Sequence, residues 1–469
     1  MHAALLDINY PRLAEKPAPK PTIWVGLSAG VDSTVLLHAL AYEIFHFKKG
    51  LNFNICAIHI HHGLSENADL WAEQAEVLCK ELSHLYSVDI SCVIERIQLE
   101  NFSDGIEQAA RQARYSIFEK YCLDGDVLFQ GHHLDDQIET FLMRAIRGSG
   151  LKGLSGIPQK RSLSRSNACT IYRPLLMVEK KQIVSYAEKF GLMWVEDESN
   201  LDSTIERNWW RNELLPQIWS RYPNNKQALC RTINHVQQQQ KLLEQFITDQ
   251  IQSQQNNSAS EPVVHPALQK LPCFNLQLVT QLDQATGVSY IRTWLAQHID
   301  ILPSTSQMQK IYSDIIYAKE DATPVFEWSH YRLNRYSNTL FLVDDRQFNP
   351  RQRSEYLCAW EGEELLFPAG ILLCSSRVKG FGLKPGKYHT RLWENGDVAK
   401  PCNRSTRKMK KWWQDYNVPS WAREYWPVIV DDESKVIAAV PGLFVCQNYQ
   451  ADIREGWFSE WVFNSPQNM

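Results

Sequence analysis

Up to Pro216, short apolar runs alternate with stretches of helical periodicity. Thr22 to Leu27, Asn54 to Ile60, Val88 to Ile97 and Asp126 to Gln130 predict strands, with a shorter one near Leu192 to Val195. Between them, Ser65 to Tyr86 sets Trp71, Ala75, Leu78, Leu82 and Leu85 on one stripe, and Asp104 to Cys122 opens with a D-x-x-E capping pattern at Asp104 and Glu107. Repeated strand, helix, strand predicts a doubly wound parallel sheet covered on both faces, with ligands at the carboxyl ends of its strands. Past Pro216 the strand signals stop. Gln227 to Gln254 predicts a long polar helix, and Gln277 to Ile299 and Ser306 to Ala318 two more. From Thr323 short strands return, with hairpins around Asn334 to Asn338 and in "PVIVDDESKVIAAV", and Asn349 to Arg353 predicts a linker. The expected division is an extension over 1–20, an α/β domain over 21–216, a mainly helical domain over 217–348 and a small α+β domain over 354–469.

Composition narrows the class. Apolar content is 44% and charged content 22%, those of an ordinary globular chain, with no apolar run of the ~20 residues that a bilayer span needs. No signal-peptide pattern opens the sequence, so a cytoplasmic protein that makes no use of membrane is expected. The 11 cysteines are scattered without a C-x-x-C, which predicts reduced thiols and excludes a disulfide framework or zinc ribbon. A net charge of −4 gives no global sign of nucleic acid, but local charge does. Phe141 to Lys181 holds nine basic residues, Arg144 and Arg147 among them, against Glu179 as its one acid. "NRSTRKMKKWW" adds Arg407, Lys408, Lys410 and Lys411 beside two tryptophans. Either run alone is equally well a solvated face; two together point to a polyanion.

The candidate chemistry begins in "LSAGVDS", a small-residue turn of Ser28, Ala29, Gly30, Val31, Asp32 and Ser33 between an apolar strand and a helix. Such a turn aims unpaired backbone N–H groups outward at the positive end of a helix, where phosphate binds. Walker A and G-x-G-x-x-G spacings are absent, so the turn has no lysine of its own. Asp32 beside phosphates makes sense if Mg²⁺ bridges them, and equally as an N-cap; both readings stand at this point. "GHHLDDQIET" follows the fourth strand, with Asp136 and Glu139 at i,i+3 on one helix face, able to hold a metal or to bind and deprotonate an amine. "HIHHG" together with "HHLDD" raises a metal hydrolase as a competing class, without the ligand spacing that class requires.

These residues carry a family resemblance. "LSAGVDS" resembles the pyrophosphate loop of the N-type ATP pyrophosphatases, the PP-loop superfamily. "HIHHGLS", "EQAARQARY", "GHHLDDQIET", "RAIRGSGLKGL", "RPLL" and "EDESNLDSTIERNWWRNELLP", in that order, resemble the tRNA(Ile)-lysidine synthase family, and "RKMKKWWQDYNVPSWAREYWPVIV" is similar to its C-terminal module. The resemblance implies a ligase that uses ATP and Mg²⁺, adenylates the wobble cytidine of a CAU-anticodon tRNA(Ile), and replaces AMP by the amine of free L-lysine. It implies a catalytic role for Asp32 (with Mg²⁺), Asp136, Glu139 and Arg207. ATP would lie on Ser28 to Ser33, Arg111 and His132, and tRNA on Arg144, Arg147, Arg211, Arg407, Lys408, Lys410 and Lys411, with the paired tryptophans stacking on RNA. It also points to a homodimer. Ala29 stands where the family's pattern has glycine, which costs about 1–2 kcal/mol if the site demands positive φ. A PP-loop tRNA thiolase, for which Cys56, Cys79, Cys92 and Cys122 show no suitable pairing, and a non-catalytic tRNA-binding protein are the alternatives.

Overall fold

The computed structural model describes residues 20–47, 53–63, 65–97, 106–164, 167, 169–257, 265–268, 270–319, 322–346, 348, 354–377, 382–451 and 456–463. The chain packs as two compact units, one ending at Leu243 and the other beginning at Glu244.

In the first unit, β1 (Thr22–Gly26), α1 (Val31–Phe47), β2 (Asn54–His61), α2 (Ala68–Tyr86), β3 (Ile90–Arg96), α3 (Ile106–Tyr121), β4 (Val127–Phe129), α4 (Leu134–Ile146), β5 (Lys160–Ser162), β6 (Thr170–Tyr172) and α5 (Lys180–Lys189) build a sheet of order β3-β2-β1-β4-β6-β5. All neighbours pair in parallel except β5, which runs antiparallel on β6 at the edge. Both faces are covered, which is why the strands are apolar at consecutive positions. Val25, Ala57 and Phe129 share a core with Leu36, Leu40, Ala75, Leu82 and Ile183 from α1, α2 and α5. Trp24, Ile58, Leu128 and Ile171 pack on the other face against Ile117 and Phe118 of α3. Buried Asp126 ties β1 to β4 by accepting the Thr22 N–H at 2.7 Å and the Trp24 indole N–H at 2.9 Å. Strand order reverses between β1 and β4, so a crevice opens beyond their carboxyl ends.

Several expectations are corrected. Leu192 to Val195 is not a strand: the sheet edge is taken by β5, and the Val195 N–H instead donates to the Ala29 carbonyl at 3.0 Å. The buried stripe of α2 is Ala68, Ala72, Ala75, Cys79, Leu82 and Tyr86, which shares Ala75 and Leu82 with the expected one, while Leu78 is half-buried against the same core and Leu85 is 64% exposed. All eleven cysteines are free, yet thiols do neighbour one another, Cys79 with Cys92 and Cys122 with Cys169, within the packed layers and not at the loop. The capping pattern at Asp104 and the linker over 349–353 lie outside the described residues.

Short helical segments over 206–221 lead into α6 (Lys226–Asn257). The first strand of the second unit is β7 (Cys273–Asn275), unforeseen because three residues carry no period, which pairs antiparallel with β10 (Thr339–Asp344). α7 (Gln284–His298) starts later than expected, where Asp283 accepts the N–H groups of Ala285 and Thr286, and α8 (Thr305–Lys310) starts at Ser304 in a capping box with Gln307. β9 (Tyr331–Tyr336) and β10 form the hairpin expected around Asn334 to Asn338, β8 (Val325–Trp328) adds a further one on β9, and all pack on Trp294, Ile311 and Tyr312; the second expected hairpin forms between Pro427–Asp431 and Ile437–Val440. The remaining strands form two further main sheets around Trp360, Trp412, Trp413, Trp426 and Trp461, with α9 (Met409–Asp415) among them.

Candidate functional site

The turn after β1 and the turn after β4 meet at the crevice. In the first, Ala29 has φ 61°, the left-handed region, where Cβ crowds the following carbonyl. The Ser28 N–H donates to Ser33 Oγ at 3.1 Å, and Ser33 Oγ in turn donates to the Gly30 carbonyl at 3.1 Å, folding the turn back on the start of α1. The N–H groups of Val31, Asp32 and Ser33 belong to the first helical turn and have no intrahelical acceptor. Gly131, after β4, lies so close that a Cβ there would sit 3.2 Å from the Asp32 carbonyl carbon and 3.3 Å from the Ser33 nitrogen. The turn of Ser28 to Ser33 therefore presents unpaired backbone donors at the start of α1, a chemistry that a phosphate group would fit.

Asp32 is only partly exposed, and both its oxygens accept from Lys180 Nζ, at 2.8 and 2.7 Å. Buried His133 links this carboxylate to the next: its Nε2 stands 3.8 Å from Asp32 and 3.5 Å from Asp136. A single carboxylate beside a phosphate cradle suits Mg²⁺, which keeps waters and shares phosphate oxygens rather than requiring an all-protein cage. Among the described residues no three His, Cys, Asp or Glu side chains gather to hold a metal by themselves. His59, in the "HIHHG" stretch, is buried with Nδ1 2.8 Å from the Leu27 carbonyl.

Asp136 and Glu139 lie on α4, both buried. Asp136 Oδ2 accepts the His133 N–H at 3.0 Å, half of a capping box that fixes the helix start. Its Oδ1 accepts from Arg211 Nη2 at 2.7 Å and Arg207 Nη2 at 3.3 Å, while Glu139 takes Arg207 Nε on one oxygen and Arg211 Nη2, at 3.0 Å, on the other. Arg207 and Arg211 are one helical turn apart, as are the carboxylates, and Arg211 sits in a π-helical segment, Trp210–Leu214. Burial raises the affinity of both carboxyls for a proton, but charge divides them. His133, Arg207 and Arg211 bring Asp136 down to about 2, whereas for Glu139 burial prevails over the two arginines and its carboxyl titrates above the usual range.

A second cationic group borders this one. Arg173 is buried and donates to the Pro158 carbonyl and to Gln130 Oε1, each at 2.8 Å, and to His132 Nδ1 at 3.3 Å. Because arginine only donates, His132 carries its proton on Nε2. Burial, with Arg173, Arg207 and Arg111 nearby, lowers His132 to about 3, despite the opposing pull of Asp136. Arg111 and Arg161 stand 5.3 and 5.0 Å from the Tyr115 ring centre, and although burial would raise that phenol, Arg161 and Arg111 hold it below its ordinary value.

The structure thus brings Ser28 to Ser33, His132, Asp136, Glu139, Arg207 and Arg211 together, and Arg211 lies on the carboxylates rather than apart on a tRNA face. Arg144 gives Nη1 to the carbonyls of Gly153 and Gly156, and Arg147 is exposed, paired with Glu206. In the second unit, Arg407, Lys408, Lys410 and Lys411 are exposed. The expectation of tryptophan stacking is corrected: Trp412 and Trp413 are 1% and 0% exposed, in the core, with Arg404 and Arg407 lying over the Trp412 ring. His133 stands in the predicted turn after the fourth strand, and Arg173 and Lys180 belong to the basic run over 141–181, but no local spacing sets Lys180 beside Asp32.

A PP-loop domain model matches residues 6–218, a TilS substrate binding domain model residues 274–341 and a TilS substrate C-terminal domain model residues 389–461. A tRNA(Ile)-lysidine synthase of Vibrio atlanticus is 35% identical over 96% of this chain and 99% of its own. Those of an Enterobacter species and of Coxiella burnetii are each 32% identical, over 96% and 92% of this chain and 97% and 91% of theirs. Among solved structures, a U34-tRNA thiolase from Methanococcus maripaludis aligns at TM-score 0.36 and 19% identity over 46% of this chain and 72% of its own.

Proposed function

The chain belongs to the tRNA(Ile)-lysidine synthase family, and from that premise we propose how its residues divide an ATP-dependent ligation of lysine to the wobble cytidine of tRNA(Ile). The cytidine O2 attacks the α-phosphorus of ATP and pyrophosphate leaves; the lysine amine then attacks C2, AMP leaves, and one proton is lost from nitrogen. The N–H groups of Val31 to Ser33 receive the departing pyrophosphate, aided by the helix dipole. Asp32 is the residue that would hold Mg²⁺, which would supply positive charge to the phosphates. His132 Nε2–H and Arg111 stand on the nucleotide side of the crevice.

Lysine's ammonium, with an ordinary pKa of ~10.4, attacks only after losing a proton. Asp136, ionised throughout, grips the ammonium, and Glu139, whose carboxyl accepts a proton more readily, removes it. Such a divergence between two neighbouring carboxyls is how acid and base roles separate. Arg207 and Arg211, 31% and 38% exposed, neutralise the pair before lysine arrives and turn to the adenylate when its ammonium replaces them. The single observation that carries this proposal is the double bridge of two carboxylates and two arginines beside the phosphate cradle. The modules over 217–348 and 354–469, with Arg144 and Arg147, receive the tRNA; a cytoplasmic homodimer completes the proposal.

The test is incubation with Mg-ATP, labelled lysine and CAU-anticodon tRNA(Ile). Glu139→Gln is expected to keep pyrophosphate-releasing adenylation and to lose lysine transfer, with its release of AMP, by about 10²-fold or more, and Asp32→Asn to lose both. Equal loss of both steps in Glu139→Gln would remove its role as base.

A further inference from the structure

The cradle holds an anion of its own, Asp32, where a triphosphate must enter, and its turn supplies no cation. The cation comes from 148 residues away: Lys180 Nζ bonds both Asp32 oxygens, at 2.8 and 2.7 Å. Its backbone is fixed. Lys180 opens α5, its N–H donates to Asp135 Oδ2 at 2.9 Å, Asp135 is itself bound by Lys226, and Ile183 and Ala187 lock the helix into the core shared with α1. Its head is not fixed in the same way, for the side chain is 41% exposed on a flexible four-carbon stem.

We infer that Lys180 is the mobile phosphate-binding cation of this site, stored on Asp32 in the nucleotide-free protein and passed to the β- and γ-phosphates when Mg-ATP binds. The inference rests on the nucleotide reading of the cradle. A divalent ion competes with the ammonium for the same two carboxylate oxygens; once the ion prevails, the freed ammonium, still tethered beside Asp32, turns to the polyphosphate. No bond is made or broken in this exchange. Lys180 thereby keeps Asp32 from taking up a bare divalent ion and strengthens binding of the metal–nucleotide pair, two effects of opposite sign.

The test uses the full chain with Mn²⁺ alone, followed by electron paramagnetic resonance, and Mg-ATP, followed by calorimetry. Lys180→Met is expected to bind Mn²⁺ alone at least threefold more tightly and Mg-ATP at least tenfold more weakly, with Lys180→Arg restoring Mg-ATP affinity to within a few-fold. An ordinary structural ion pair would not move the two affinities in opposite directions. Mg-ATP affinity within twofold of the parent in Lys180→Met, or both affinities falling together, overturns the inference. Should Lys180→Met not fold, Lys180→Gln takes its place under the same criteria. Failure of the parent chain to bind Mg-ATP would instead overturn the nucleotide reading.

Discussion

Ala29 holds a left-handed backbone with a methyl group where glycine would be unstrained. Ala29→Gly is expected to relieve about 1 kcal/mol of crowding, offset in part by the unfolded chain's added freedom, and so to raise the urea midpoint slightly. Mg-ATP affinity should change by less than tenfold; a hundredfold gain would mean that the parent loop is impaired. His132 gives a pH signature. Its native pKa of about 3 lies below the ordinary 6.5, so between those values the unfolded chain holds a proton that the native chain does not. Its contribution is complete above pH 6.5 and is lost as pH falls toward 3, with a slope of up to about 1.4 kcal/mol per pH unit. Urea denaturation between pH 7 and 4 should show a shallower decline in His132→Asn. The tryptophan pair teaches the converse lesson. Charge beside tryptophan in "RKMKKWW" suggests stacking on RNA, but period within a seven-residue helix cannot tell an outward ring from a buried one, and here the charges face out while the rings fill the core.

At the level of elements, the alternation of apolar runs and helical stripes was sufficient to place β1 to β4 and to predict that the turns after β1 and β4 would face one crevice. What it could not supply was register and distance. α2 turns its alanines and Cys79 inward, because small side chains let it lie close to sheet and α1, and its larger Leu85 is left outside. Lys180 and Arg173 reach the site through packing of segments far apart in sequence, which no local period encodes. The meeting of the two turns has a mechanical requirement at Gly131. In Gly131→Ala the new Cβ would press on the backbone of Asp32 and Ser33, which can yield only by moving the cradle. Expected are a destabilisation of about 1–3 kcal/mol and at least a tenfold loss of Mg-ATP affinity, read by denaturation and calorimetry; unchanged affinity would show that the two turns are not in register with a nucleotide.

Across the whole molecule, chemistry is concentrated in the first unit and exposed positive charge recurs in the second. No helix among the described residues is long and apolar enough to cross a membrane. Reversing Lys408, Lys410 and Lys411 to Glu is expected to weaken tRNA binding at low salt by tenfold or more and to flatten the dependence of affinity on salt, since fewer counterions are released. Binding titrations between 50 and 200 mM salt decide it; an unaltered slope would remove this face from the RNA path. The cores of the second unit carry a further consequence. Trp294, Trp360, Trp412, Trp413, Trp426 and Trp461 are all fully buried, and all six lie beyond Glu244. The protein therefore has a built-in optical reporter weighted to one half: its short-wavelength indole emission follows loss of the second unit's interior, while far-ultraviolet dichroism follows both halves. Two unfolding curves that separate would reveal a half-melted species in which the second unit has let go before the first, or after it.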